Sequence, residues 1–170
     1  MALSPEDLKS AAADPIPGDS PAGRDVRLEP DFASLQAEID KLSSLSGAQG
    51  GVNWPLAESL AARILKESSK DILAAAYLAA AVCENGGPGA VADGAGFLAD
   101  FLEAWWPRLF PPLKRFRARA NAVEWWRDKA VQLIGRYQGP PLPRAAVDRV
   151  AAAAERLDKV LAAADGNLPS

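Results

Sequence analysis

Apolar residues recur along this chain in steps of three and four, the spacing of one helix face, and no stretch shows the alternation of a half-buried strand. Ser4-Pro5-Glu6-Asp7 reads as a helix start, with a serine cap, a first-turn proline and acids at the positive end of the macrodipole; the helix runs to about residue 13. Phe32, Leu35, Ile39 and Leu42 predict a second helix over about 31–45, with Glu38 and Asp40 turned outward. Asn53-Trp54-Pro55 caps a third, whose inner face is Ala57, Leu60, Ala61, Ile64 and Leu65. Asp71 begins a fourth, 72–83, which is apolar nearly all round and belongs at the centre of a bundle; the glycines of 86–89 end it. A fifth, about 90–106, presents Phe97, Leu98, Phe101, Leu102 and Trp105. Pro107, Pro111 and Pro112 force an extended stretch before a long sixth helix, about 115–137, with Phe116, Ala120, Val123, Trp126, Ala130 and Ile134 inward. The last helix, 144–164, carries Val147, Val150, Ala154, Leu157, Leu161 and Ala164 as a narrow coiled-coil-type seam, suited to its own domain or to a second copy.

Two connections stand apart from this pattern. Residues 14–30 hold prolines at 15, 17, 21 and 30 and glycines at 18 and 23, which excludes a helix; a connection of this length is usually functional or disordered. Residues 46–51 read as a flexible Gly/Ser/Gln connector. With 35 alanines, 170 residues, 49% hydrophobic and 24% charged content, the chain is expected to form an all-α, soluble, single helical domain of about seven helices with a long Pro-rich N-terminal loop. No internal repeat of solenoid length is present.

Composition narrows the chemistry. There is no histidine, which excludes Ser-His and Cys-His nucleophilic pairs and histidine-ligated metal sites. The one cysteine, Cys83, excludes an intramolecular disulfide, fits a reducing compartment, and sits at the end of the Ala/Leu-rich helix as a small buried hydrophobe. No apolar run approaches the roughly 20 residues of a membrane span, and residues 1–10 lack the basic head of a signal peptide. The glycines near 87 follow a helix and precede no lysine, so they do not make a phosphate loop. Asp14, Asp19, Asp25, Glu29 and Asp31 cluster around the long loop, but a carbohydrate-cleaving pair would want aromatic platforms beside them, and only Phe32 is near. No metal, cofactor or catalytic residue is assigned.

Charge is more informative in its distribution than in its sum of −3, which argues against nucleic-acid binding by the whole domain. Residues 1–40 hold nine acids against three bases, while residues 108–129 hold seven bases against two acids. The two patches either pair inside the fold or leave a basic face for an acidic partner; interleaved arginine and tryptophan also suit a nucleic-acid module. Neighbouring residues on a helix point about 100° apart, so Trp105 and Trp126 are expected in the core, leaving Trp106 and Trp125 at an edge. Trp106, Arg115, Arg117, Arg119 and Trp125 form the candidate docking face. In the loop, Arg24 or Asp25 is expected to act as an anchor and Arg27 as a tie to the bundle.

Three segments carry a family resemblance. Pro15-Ile-Pro-Gly-Asp-Ser-Pro-Ala-Gly-Arg-Asp-Val-Arg27, continuing to Glu29-Pro30-Asp31-Phe32, resembles the opening motif of the ImpA-related N-terminal domain of TssA-type proteins. Trp105-Trp106-Pro107, the stretch after it and the helix to Trp126 are similar to that domain's Trp/Pro-rich segment and the helix after it, and between the two motifs Ser69-Lys70-Asp71 with its alanine-rich helix to Ala79 is also similar to the family. Val26 and Leu28-Glu29 depart from the family's usual Leu and Tyr-Asp. The resemblance makes Pro15, Gly18, Gly23, Arg24, Asp25 and Arg27 a structural loop motif. It implies a cytoplasmic, non-catalytic part of the bacterial type VI secretion system, one that contacts baseplate, sheath or tube proteins to prime assembly or cap the distal end. It further implies a helix over 1–13, the family domain over 14–140, and a terminal helix over 141–170 leading toward a ring-forming C-terminal region of a longer parent.

Overall fold

The computed structural model describes residues 2–43 and 51–165. Seven α-helices follow in order: α1 (Pro5–Ala13), α2 (Pro30–Asp40), α3 (Trp54–Glu67), α4 (Ile72–Gly86), α5 (Val91–Trp105), α6 (Phe116–Arg136) and α7 (Arg144–Asp165). Single 3-10 turns lie at Lys41–Ser43, Pro88–Ala90 and Leu113–Arg115. The described residues form no strand, and their only extended pairings are two isolated bridges. The expected end of α2 near residue 45, the 46–51 connector and the tail after residue 165 lie wholly or largely outside the described residues.

Local chemistry sets the helix starts. Ser4 accepts the Asp7 amide while Asp7 reaches back to the Ser4 amide, a reciprocal cap with Pro5 in the first turn. Asn53 caps α3 through the Leu56 amide, and Asp71 caps α4 through the amides of Leu73 and Ala74. Gly87, at φ 77°, ends α4 in a conformation that favours glycine.

α4 is the axis, packed by α3, α5 and α6. Its alanines 74, 75, 76, 79, 80 and 81 are all buried, and their small side chains let three helices approach one. α1 lies across α5 and α3, α2 lies on α3, and α7 covers the outer side of α5. α5 approaches α4 closely at Gly94, where a Cβ would sit 2.7 Å from Cys83 Sγ and 2.8 Å from the Ala79 carbonyl oxygen.

Three expectations are corrected. Glu38 does not face water: it is buried and accepts Lys41 Nζ (2.8 Å) and the Asn53 amide (2.5 Å), satisfying a donor at the entry to α3. Ile134 and Leu42 are exposed rather than inward, and Ala120 is only half-buried; the buried face of α6 ends at Ala130. On α7 the inward face is Val150, Ala153, Leu157, Val160, Leu161 and Ala164, with Val147 and Ala154 exposed. That rotation is set by α5, whose Asp93 and Asp100 meet Arg149 (2.6 Å) and Arg156 (2.5 Å). α7 therefore spends its apolar face inside its own domain.

Gly94→Ala tests the close packing. On an exposed helix this change stabilises by about 1 kcal/mol. Here it is expected to destabilise by about 1–3 kcal/mol, the range of an overpacked core, read as a lower urea midpoint.

Candidate functional site

The loop motif and the Trp/Pro-rich segment meet on one strip of backbone, residues 68–71, between α3 and α4. On one side the Arg24 amide donates to the Ser68 carbonyl (3.1 Å) and the Lys70 amide to the Ala22 carbonyl (2.8 Å). On the other, the Phe110 amide donates to the Lys70 carbonyl (3.0 Å) and the Ile72 amide to the Phe110 carbonyl (2.9 Å). Gly23 is required at this crossing: its φ is 77°, and a Cβ would lie 2.1 Å from the Ser68 carbonyl oxygen.

Side chains lock the crossing. Arg27 reaches the wholly buried Asp71 with two bonds, Nε at 2.7 Å and Nη2 at 3.2 Å, and lies over the Phe32 ring. Asp71 thus ties the loop and caps α4 at once. Burial pushes its carboxyl up, while Arg27 and the two cap amides pull the other way. Asp25 accepts the Arg27 amide (3.0 Å), and the exposed Arg24 pairs with Glu29 at 2.6 Å. Within the loop the Ile16 amide bonds the Pro21 carbonyl, drawing Pro15 and Gly18 (φ 111°) into a tight turn. Ile16, Ala22 and Val26 are buried, so the loop belongs to the core.

Lys70 is wholly buried and has no carboxylate partner among the described residues. Its Nζ donates to the carbonyls of Ala11 (3.0 Å) and Leu65 (2.8 Å), the ends of α1 and α3, and lies 5.3 Å from the centre of the Trp105 ring. Trp105 donates its indole N–H to the Ala12 carbonyl at 2.7 Å. Burial pushes the lysine down to about 8, with Asp14 opposing. The sequence placed Lys70 in the family-like Ser69-Lys70-Asp71 but did not show its buried role; its one signal was a lysine next to the cap of the mostly apolar α4.

The proposed docking residues separate. Arg119 is not on the surface: it is wholly buried, and donates to the carbonyls of Pro111 (2.8 Å), Leu109 (2.9 Å) and Trp106 while stacking on the Trp106 ring. It fills the open carbonyls of a loop whose three prolines cannot form a ladder, and burial lowers it to about 10. Trp106 is half-buried, edge-on to Phe116 at 6.2 Å. Trp125, also half-buried, meets Tyr77 at 4.9 Å on the α2 side. Arg115 and Arg117 are exposed, at the start of α6 near Trp106. Trp105 and Trp126 are buried.

The two charged regions do not pair with each other among the described residues. The N-terminal acids use nearer bases: Asp7 with Lys66, Asp31 with Arg63, Glu38 with Lys41. Lys114, Arg115, Arg117 and Arg127 make no ion pair among the described residues. The loop acids are likewise distributed over separate partners, Ser10 for Asp14, Arg24 for Glu29, Arg63 for Asp31. Cys83 is buried, and that burial pushes its thiol up to about 12. Among the described residues no group of three or more acids or cysteines could hold a metal ion, and no helix is long and apolar enough to cross a membrane.

These features define an all-α bundle whose proline-rich strap is pinned into the core beside a second proline-rich loop. Residues 13–128 match the family described as ImpA, N-terminal, type VI secretion system, and the chain belongs to that family. It is similar in structure to the N-terminal domain, including the ImpA_N region, of the TssA component of the type VI secretion system from Burkholderia cenocepacia. The TM-score is 0.64 at 15% identity, over 100% of this chain and 87% of that one, which shows a shared fold. Among curated proteins no match is found.

Arg27→Glu is expected to cost about 2 kcal/mol, less than the roughly 3–5 of a fully buried broken pair, because the Arg27 side chain keeps 35% of its surface in water. Denaturant melts and protease cleavage within 14–30 check it; unchanged melting and cleavage would remove the structural role. Lys70 gives a pH signature. Below about 8 folded and unfolded chains both hold the proton, whereas between about 8 and 10.5 only the unfolded chain does. The wild-type stability, relative to Lys70→Met, is therefore expected to rise with pH across that window. Urea midpoints at about pH 7.5 and about pH 10 measure it.

Proposed function

We propose that the chain is a non-catalytic docking domain of a cytoplasmic type VI secretion assembly protein, contacting baseplate, sheath or tube subunits to prime assembly or cap the distal end of the sheath. Membership of the family over residues 13–128 carries this reading. The N-terminal helix, domain and terminal helix, 1–13, 14–140 and 141–170, are taken as one module, with a ring-forming C-terminal region supplied by the longer parent. The geometry supports a docking role in one respect: the buried cations Lys70 and Arg119 are engaged in holding helix ends and a loop, while cations without an ion pair among the described residues lie outside.

Retention of purified sheath, tube and baseplate subunits, one at a time, on the immobilised domain tests it at low and high salt. One subunit class is expected to bind and to weaken as salt rises. Binding of none overturns the reading. Retention of nucleic acid instead, lost steeply with salt, would replace it with a strand-binding role for the 108–129 segment.

A further inference from the structure

An open groove of about 460 Å³ runs between the end of α5, the Trp106 loop and the last turns of α7. Leu102, Trp106, Pro107, Leu113, Val160 and Ala164 line it. Leu113 is 40% exposed and Pro107 is exposed, so apolar surface faces water in a concave site. The site is preformed: Arg119 stacks on one face of Trp106, Phe116 meets it edge-on, and α7 is fastened to α5 by Arg149 and Arg156. A rigid pocket loses little entropy on binding.

Charge selects the occupant. Glu103, the one charged residue that lines the groove, is held by Arg156, which meets both its oxygens at 2.8 and 2.7 Å and also Asp100, so this corner carries at most one net negative charge against three cations nearby. Lys114 and Arg115 adjoin Leu113 on the same 3-10 turn, and Lys159 stands one turn before the lining residue Ala163 on the same side of α7. All three are exposed and have no carboxylate partner among the described residues. We propose that this groove receives an amphipathic helix of a partner protein, its apolar side seated on Trp106, Leu113 and Val160 and its acidic flanks facing Lys114, Arg115 and Lys159. A trough between helical elements with a small residue, Ala164, in its wall accepts a helix that presents anchors at i, i+3 or i+4 and i+7. Trp125 lies on the other side of α6 and takes no part.

The inference rests on the docking reading and names the chemistry of its partner. Leu113 is replaced by the photo-crosslinking residue p-benzoylphenylalanine in the full-length protein, expressed in a bacterium with its own type VI apparatus, and the crosslinked peptide is mapped by mass spectrometry. The expected product is an acidic amphipathic segment of another protein. Its yield is expected to fall about tenfold with Lys114→Glu, Arg115→Glu and Lys159→Glu together, and less with the three Gln changes, which keep the surface uncharged should the Glu set disturb folding. A crosslink to a neutral or basic segment, to a second copy, or to nucleic acid overturns the proposal. So does a yield no higher than from the same residue at the fully exposed Leu28, or one indifferent to both sets of changes. If the charge-reversed chain still retains purified subunits, the groove is wrong and the docking reading stands. If an acidic helix crosslinks but no secretion subunit binds the wild type, the reading fails and the groove stands.

Discussion

The fold depends on a buried lysine that forms no ion pair among the described residues. Lys70 sits in the dry centre with its amine on the carbonyl ends of α1 and α3 and its flank on Trp105. Those carbonyls are among the last acceptors of their helices and have no further turn to bond them. A buried acceptor without a donor costs roughly 1–3 kcal/mol, so one side chain settles two helix ends. Its backbone meanwhile accepts from Phe110 and donates to Ala22.

The same logic explains why two proline-rich segments far apart in sequence share one strip. Neither the 14–30 loop nor the 106–112 loop can form a regular ladder of its own, because proline offers no amide and constrains its predecessor, and the few turn bonds inside the first, such as Ile16 to Pro21, leave other backbone groups open. Each therefore borrows partners: Asp71 and the 68–71 backbone for the first, Arg119 and the same backbone for the second. Buried charges here serve orientation more than net stability, since removing them from water offsets much of what their contacts return. The exposed pairs on α7 each contribute little alone, but together they fix the rotation of that helix and hence one wall of the groove.

Helices were legible because each has one apolar face and a chemically marked start, and the serine, asparagine and aspartate caps fall where they were expected. The errors share a cause. Reading a helix face takes charge as a mark of solvent, and Glu38, Lys70 and Arg119 are charges turned inward to serve backbone groups at element ends. On α7 the choice between Ala153 and Ala154 could not come from the residues, which are identical; partners on α5 decide it. The loop motif was visible through glycine, proline and arginine in order, whereas the residue that receives Arg27 lies 44 positions away.

The candidate surface was half legible for the same reason. Adjacent tryptophans were correctly divided between core and edge, yet Trp106 and Trp125 face different neighbours, Phe116 in one case and Tyr77 in the other. What joins Trp106 to Leu113 and to Val160 is the return of α7 across α5, a contact between elements some 50 residues apart that no local pattern announces. Arg119 lies behind this surface and on the core side of Trp106. It binds the Trp106 loop from inside, Arg108 and Lys129 lie over Trp105 and Trp125, and Lys114, Arg115, Arg117 and Arg127 are left exposed with no ion pair among the described residues. A basic rim beside an apolar trough is the combination that discriminates partners by sign and by shape.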